Sequence, residues 1–336
     1  MNSFGRIFKV SIFGESHGEC VGITVDGCPA GLSLSPEDLL PDLERRKGGK
    51  QKGTTPRQEE DFPIFKSGLF NGKTTGFPIT ILFENKNIRS EDYTKQRSIP
   101  RPGHADWVAH QKFGGNEDYR GGGHFSARLT TGLVAAGAIA KKIMGTGVSI
   151  ISAVTEIGGE SDLEKGLQKA IDAKDSVGGI VECRVNGLSV GLGEPFFDSV
   201  ESQLAHIAFA IPAVKGVEFG SGFAAARMFG SQHNDAIENM EGKTRTNHAG
   251  GIVGGITNGN ELVFRIAIKP TASTPKEQNS LNWESGKVET FSIKGRHDLC
   301  VALRAPVILE AATAVALVDL FLLEQHSNRI INQGKH

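Results

Sequence analysis

Glu15, Ser16 and His17 stand in a row in the stretch FGESHG, framed by Gly14 and Gly18. A carboxylate, a hydroxyl and an imidazole on one turn can move protons, and a plain surface turn has no need of Glu15 and His17 together. Seven further blocks set histidine, arginine or lysine beside glycine or proline: LERRKGGKQKGTTPRQ (43–58), RPGHAD (101–106), YRGGGHFSAR (119–128), FGSQHND (229–235), NHAGGIVGG (247–255), KPTAS (269–273) and GRHD (295–298). One such block is a turn; the whole set exceeds what folding requires. It describes a deep site for a polyanionic ligand. Arginine grips carboxylate and phosphate bidentately, and histidine, which titrates near neutral pH, donates protons.

These blocks need elements to hold them. RIFKVSIF, ahead of the first, alternates as a half-buried strand does. SARLTTGLVAAGAIAKKIM (126–144), with Ser126 as N-cap, and PVILEAATAVALVDLFLLEQH (306–326) are apolar on nearly every face. Such helices belong in the middle of a protein with a layer on either side. PIFKSGLF-NG-KTTGFPITILF and GGIVGGI-TNGN-ELVFRIAIK read as hairpins with Asn-Gly turns, hence antiparallel sheet. VDGCPAGL at 25–32 is echoed by VNGLSVGL at 185–192. Each follows an apolar run and precedes a helix, the first capped by Ser35 with Pro36 behind it, the second starting near Asp198. The fold class expected is α/β (α+β), a β-α-β sandwich with central helices between antiparallel sheets and an internal duplication. The 336 residues are expected to form a single domain, 1–336.

Composition removes several function classes. With 22% charged and 38% hydrophobic residues the chain is of the globular kind. No run of 18 apolar residues and no apolar secretory core at the N-terminus occurs, so no membrane is expected and the cytoplasm is the expected location. Cys20, Cys28, Cys183 and Cys300 form no C-x-x-C pair, as free thiols in a reducing compartment would not. A net charge of −1 does not point to nucleic acid, so any anion must meet a local cationic cluster. SGLFNGKT and MEGKTRT carry Gly-Lys-Thr, yet Ser67 and Ile237 stand where a P-loop needs glycine. Neither G-x-G-x-x-G nor H-E-x-x-H occurs, and no metal is expected. Glycine is in excess, 43 of 336 residues, and its blocks bring backbone N–H groups together as phosphate and planar cofactors require.

In order, FGESHG, RPGHAD, YRGGG with SAR, NHAGG and KGRHD resemble the chorismate synthase family, from about Phe8 to His326. The resemblance implies a homotetrameric β-α-β sandwich. It also implies the reaction: 5-enolpyruvylshikimate 3-phosphate loses phosphate and a ring hydrogen in a 1,4-anti elimination to chorismate, the last step of the shikimate pathway. Reduced FMN (FMNH2) is required although nothing is oxidised overall, and a separate flavin reductase is a candidate partner. By position, the resemblance makes His17 and His104 general acids, the first toward the reduced flavin and the second toward the departing phosphate. Asp298 then assists the flavin nitrogen that collects the ring proton. Arg46 and Arg128, supported by Arg45 and Lys52, become substrate-binding residues. Flavin contacts fall at His124, Phe125, Ser126, Gln232, His233, Gly254, Lys269, Pro270, Thr271, Ala272, Ser273 and Arg296. His124, Phe125 and Leu129 depart from the family run, which has arginine, serine and glutamate there. Asp106 reads as a cap or turn residue, and His110, His206 and His326 as structural or surface residues. A non-catalytic anion- or flavin-binding protein and a metal-dependent phosphohydrolase remain as alternatives. The former has no use for His17, His104 and Asp298, and the latter lacks ligands at metal spacing.

Overall fold

The computed structural model describes residues 2–49, 52–55, 59–87, 97–293 and 297–326. The alternating stretch forms β2 (Lys9–Gly14), which follows a short β1 (Ser3–Phe4) and returns antiparallel into β3 (Cys20–Asp26). β3 buries Val21, Ile23 and Val25 completely, as the middle strand of a sheet does. With β4 (Ile64–Phe65) and β7 (Ile79–Glu84) it makes an antiparallel sheet in the order β1-β2-β3-β7-β4. Asn71-Gly72 closes the small hairpin of β5 (Leu69–Phe70) and β6 (Lys73–Thr74), as its turn chemistry predicts.

A second antiparallel sheet runs β10-β13-β9-β8, from β8 (Ser149–Ile157), β9 (Gly179–Asn186), β10 (Val214–Phe219) and β13 (Leu262–Ile268). Between the sheets lie two helices, α3 (Thr130–Met144) on β3 and α7 (Ala305–His326) on β8 and β9. They touch along small residues: a Cβ on Gly137 would lie 2.3 Å from the Cβ of Ala311. α7 is long and apolar enough to cross a membrane, but 83% of its apolar window is buried in protein, so it is a core helix. Its Asp319 accepts backbone N–H groups of Ile7 at 2.7 Å and Phe8 at 2.8 Å. That fastens the start of β2 to the central layer and aims the turn beyond Gly14.

The echoed octapeptides sit at equivalent places. One leaves β3 for a 3₁₀ turn (Pro36–Asp38) and α1 (Leu40–Arg46); the other leaves β9 for a 3₁₀ turn (Phe196–Asp198) and α5 (Val200–Ala208). Ser126 Oγ accepts Arg128 N–H as a cap, at a 3₁₀ turn (Ala127–Leu129) that leads into α3. Ser35 accepts no such bond, and its N–H donates to Asp38 Oδ2 at 2.8 Å. α5 is capped by Ser199, whose Oγ accepts from Ser202 N–H. One hairpin does not form as expected. The turn after β11 (Ile252–Val253) is at Gly254-Gly255, leading to β12 (Ile256–Thr257), and the Asn258-Gly259 bend makes no hairpin with β13. β13 is an inner strand with both edges taken, by β9 and β10. A turn motif signals reversal, not the partner.

Candidate active site

Loops from both halves meet over the N-terminal ends of α3 and α7 around a cavity of about 390 Å³, within the range of small-molecule sites. The Glu15–Glu19 turn contributes His17, which is buried. Asn85 clamps this turn, its Nδ2 donating to the Glu15 and Gly18 carbonyls at 2.9 Å each. Ser16 N–H donates to the Gly123 carbonyl at 3.1 Å, joining the turn to the triple glycine of YRGGGHFSAR. The imidazole then lies directly on Gly121: a Cβ there would be 2.1 Å from His17 Nδ1. At the next residue, a Cβ on Gly122 would be 3.2 Å from Cε1 of His104. Both glycines have positive φ, +59° and +82°, a region that glycine enters without cost. Two histidines far apart in sequence are thus seated on adjacent residues.

His104 precedes α2 (Asp106–Phe113). Its Nδ1 is 2.5 Å from Asp106 Oδ1, and Arg101 reaches the same carboxylate with Nε and Nη2 at 2.7 Å each. Burial alone would raise the pKa of Asp106, but the hydrogen bonds and charges of Arg101 and His104 overcome it and hold the carboxyl well below its usual range. Asp106 is therefore not the simple cap or turn residue its position suggested. It is an ionised partner of His104.

Deeper lies a cationic cluster. Arg46, at the end of α1, donates from Nε to Thr130 Oγ1 at 3.0 Å and from Nη2 to the Ala127 carbonyl at 2.9 Å. Arg128 donates to Asn85 Oδ1, Thr131 Oγ1, the Glu84 carbonyl and Asp61. Asp61, itself buried, faces both guanidinium groups. Asp298 accepts from Thr55 N–H at 2.8 Å and from Arg304 Nη1 at 3.1 Å. Three buried or half-buried arginines therefore share two carboxylates, and the surplus is positive. Its electrostatic trace is on Arg46, whose pKa is pushed down to about 9 by burial and then by the charges of Arg304 and Arg128. An entering anion would relieve that repulsion. His297 also lines the cavity. Burial, then the charge of Arg101, pushes its pKa down to about 4, so its ring is neutral at neutral pH.

Of the residues expected in a site, His17, His104, Asp298, Arg46, Arg128, Phe125, Ser126 and Lys269 to Ser273 line this one cavity. The others lie elsewhere. Arg45 is turned instead to the buried Glu310 of α7, a bidentate pair at 2.7 Å, and Lys52 donates to Gln168 Oε1 at 3.1 Å. His124 is 2.8 Å through Nδ1 from the Gly14 carbonyl. Gln232 and His233 are on α6 (Gly230–His233) and Gly254 in the β11–β12 turn, beside the exposed Phe229 and Val253. Arg296 lies outside the described residues. Asp61, Asn85, Arg101, His297 and Arg304 join the site without having been singled out, and Asp106 joins it after having been read as a cap or turn residue. For Arg101, Asp106 and His297 the sign was there, since each sits inside a quoted block; Asp61, Asn85 and Arg304 carried none.

The chorismate synthase family model matches residues 8–322. A curated chorismate synthase of Chitinophaga pinensis is 69% identical over 330 residues, covering 98% of this chain and 99% of the relative. One of Dehalococcoides mccartyi is 43% identical, covering 99% of this chain and 100% of the relative. A crystal structure of chorismate synthase superposes with a TM-score of 0.72 at 26% identity, over 96% of this chain and 93% of the other.

Proposed function

The chain belongs to the chorismate synthase family, and from that premise we propose how its cavity converts 5-enolpyruvylshikimate 3-phosphate to chorismate. The protein is a lyase that removes phosphate in a 1,4-anti elimination, and the two alternatives left open by the sequence fall away. The observation that carries the site assignment is the seating of His17 and His104 on adjacent glycines over a cavity with surplus positive charge.

The family is flavin-dependent, and we assign reduced FMN as the cofactor. The residues present fit such a group: Phe125 offers a half-exposed aromatic face at the cavity wall, and Lys269 to Ser273 line it with an ammonium, backbone groups and two hydroxyls. When bound, reduced FMN supplies electron density to the substrate ring and recovers it, so no net oxidation results. Arg46 and Lys269 hold the anionic groups of substrate and cofactor. His104 delivers a proton to the departing phosphate, and Asp298 holds a carboxylate on the path of the ring proton. His17 is the proton donor on the flavin side. Burial, with Lys215 nearby, lowers the pKa of Lys269, which favours an anion beside it.

Exposed Phe196, Phe197, Phe223, Phe229 and Met240 are the kind of apolar surface that subunits bury, and we assign a homotetramer on the family's precedent. Gln232, His233 and Gly254 stand near this surface, so a flavin role for them belongs to the assembled protein. The source of reduced flavin is assigned outside this chain. His124 is turned to the Gly14 carbonyl and brings no permanent charge to the cavity, and Phe125 narrows the approach of a nicotinamide.

The test is an anaerobic assay with dithionite-reduced FMN and no added metal. Chorismate and phosphate should form together, with no turnover when flavin is left out. Phosphate release without chorismate would overturn the reading. In air, oxidised FMN and NADPH should give no chorismate; turnover matching the dithionite assay would show that the chain reduces its own flavin.

A further inference from the structure

We propose that Asp106, backed by Arg101, is a positioning residue that keeps the Nδ1 proton on His104, so that only Nε2 serves the cavity. The inference rests on His104 being the proton donor to phosphate, and it adds a reason why that ring can act in one direction.

The geometry leaves the His104 ring little choice. Asp106 Oδ1 is 2.5 Å from His104 Nδ1, while Oδ2 accepts Arg101 Nε at 2.7 Å and Arg101 N–H at 3.0 Å. Arg101 Nη2 lies 3.0 Å from the same Nδ1. A guanidinium has donors only, and so does its backbone N–H. The acceptor that satisfies them all is the ionised Asp106, and the ring nitrogen facing it must carry hydrogen. Arg101 Nη1 in turn donates at 3.2 Å to Ser273 Oγ, which also lines the cavity. Position and charge of the pair are therefore both fixed.

The proton balance follows. The cationic ring holds two N–H bonds, Nδ1–H toward Asp106 and Nε2–H toward the cavity. Breaking the Nε2–H bond as a phosphate oxygen gains the proton leaves neutral His104 with hydrogen on Nδ1. That is the tautomer Asp106 stabilises, so transfer needs no ring flip. The reverse tautomer would leave Nδ1 as a bare acceptor against a carboxylate.

Asp106→Asn tests this. Arg101 aims two donors, Nε and its backbone N–H, at the Oδ2 position and only Nη2 at Oδ1. The amide oxygen therefore keeps the Oδ2 position and the new amide nitrogen faces His104, donating to Nδ1 and enforcing the wrong tautomer. The analogous exchange behind a catalytic histidine lowers turnover by about 10⁴. Here kcat should fall at least roughly 10²-fold with KM within a few-fold. Asp106→Glu, which keeps the charge, should recover part of the loss. The deciding readout is independent of activity: ¹⁵N spectra of histidine-labelled enzyme, with His104 assigned by the His104→Gln variant. Wild type should show neutral His104 protonated on Nδ1, and Asp106→Asn should move the proton to Nε2. An unchanged tautomer in Asp106→Asn overturns the proposal; should that variant fail to fold, an Nε2-protonated neutral ring in the wild type does so equally. A switched tautomer with unchanged kcat upholds the positioning role and removes His104 as proton donor instead.

Discussion

His17 and His104 face the same cavity but are held by different physics. His17 is buried and fixed by backbone contact: a turn clamped by Asn85, a hydrogen bond from Ser16 to Gly123, and Gly121 pressed against the ring. His104 keeps 22% of its side chain exposed and is fixed by charge, through Asp106 and Arg101. One histidine tolerates no change of volume behind it, the other no change of charge beside it. A site with two proton donors so built responds to substitution in two distinguishable ways.

The largest effect should come from removing the rings. His17→Ala and His104→Ala should each lower kcat by roughly 10²–10⁴, with the fold intact. Steady-state rates beside circular dichroism check this, and a folded His17→Ala or His104→Ala enzyme within a few-fold of wild type would remove that residue from the chemistry.

The arginines behind the two histidines come next. Arg128 makes four hydrogen bonds, to Asp61, Asn85, Thr131 and Glu84, so it holds the floor under the His17 turn. Arg128→Ala strands the buried Asp61 carboxylate and should cost about 3–5 kcal/mol of stability. Arg46 carries the strained positive charge, and Arg46→Ala should show mainly as anion affinity weakened by about 2–3 kcal/mol. Urea denaturation and calorimetry with substrate separate the two. An Arg128→Ala protein as stable as wild type but unable to bind would reverse these assignments.

A smaller change addresses the seats. Alanine at Gly121 or Gly122 meets the same left-handed backbone and should cost about 1–2 kcal/mol of stability at either position. Only Gly121→Ala drives a methyl into an imidazole, at 2.1 Å against 3.2 Å for Gly122→Ala. A displacement of about 1 Å costs about 10² in rate, so Gly121→Ala should lose that much activity and Gly122→Ala less than about tenfold. Equal losses would mean that backbone strain, not ring seating, governs the block.

What the sequence made legible was local. Caps, apolar helices, the β5–β6 hairpin and the glycine-framed blocks all follow from neighbours in the chain, and they located His17, His104, Asp298 and Arg46. The partners that tune these groups were out of reach. Asp61 is the last of three consecutive acidic residues in a loop, with nothing to set it apart from Glu59 and Glu60. Asn85 is an amide at a strand end, and Arg304, which donates to the Arg46 carbonyl at 3.0 Å, lies 258 residues away from it. No periodicity marks such contacts. Arg45 shows the converse: adjacent to Arg46 and chemically identical, it turns to Glu310 because successive helical positions face different ways.

A third imidazole sharpens the comparison by its inability to join it. His297 lines the same cavity beside Asp298, yet burial and the charges of Arg101 and His104 outweigh that carboxylate and push its pKa down to about 4. An unfolded histidine titrates near 6.5. Between those values the unfolded chain takes up a proton that the folded protein refuses. The contribution of His297 to stability is therefore complete above about pH 6.5 and is lost as the pH falls toward 4. From pH 6.5 to 5.5 the loss should be about 1 kcal/mol, a window in which most carboxylates stay ionised. Urea denaturation of ligand-free wild type and His297→Gln across that window isolates it, because glutamine cannot titrate and the variant should lose less stability by that amount. Parallel pH dependences would mean that His297 is as free to take a proton as any exposed histidine, and the cavity would then hold three candidate donors rather than two.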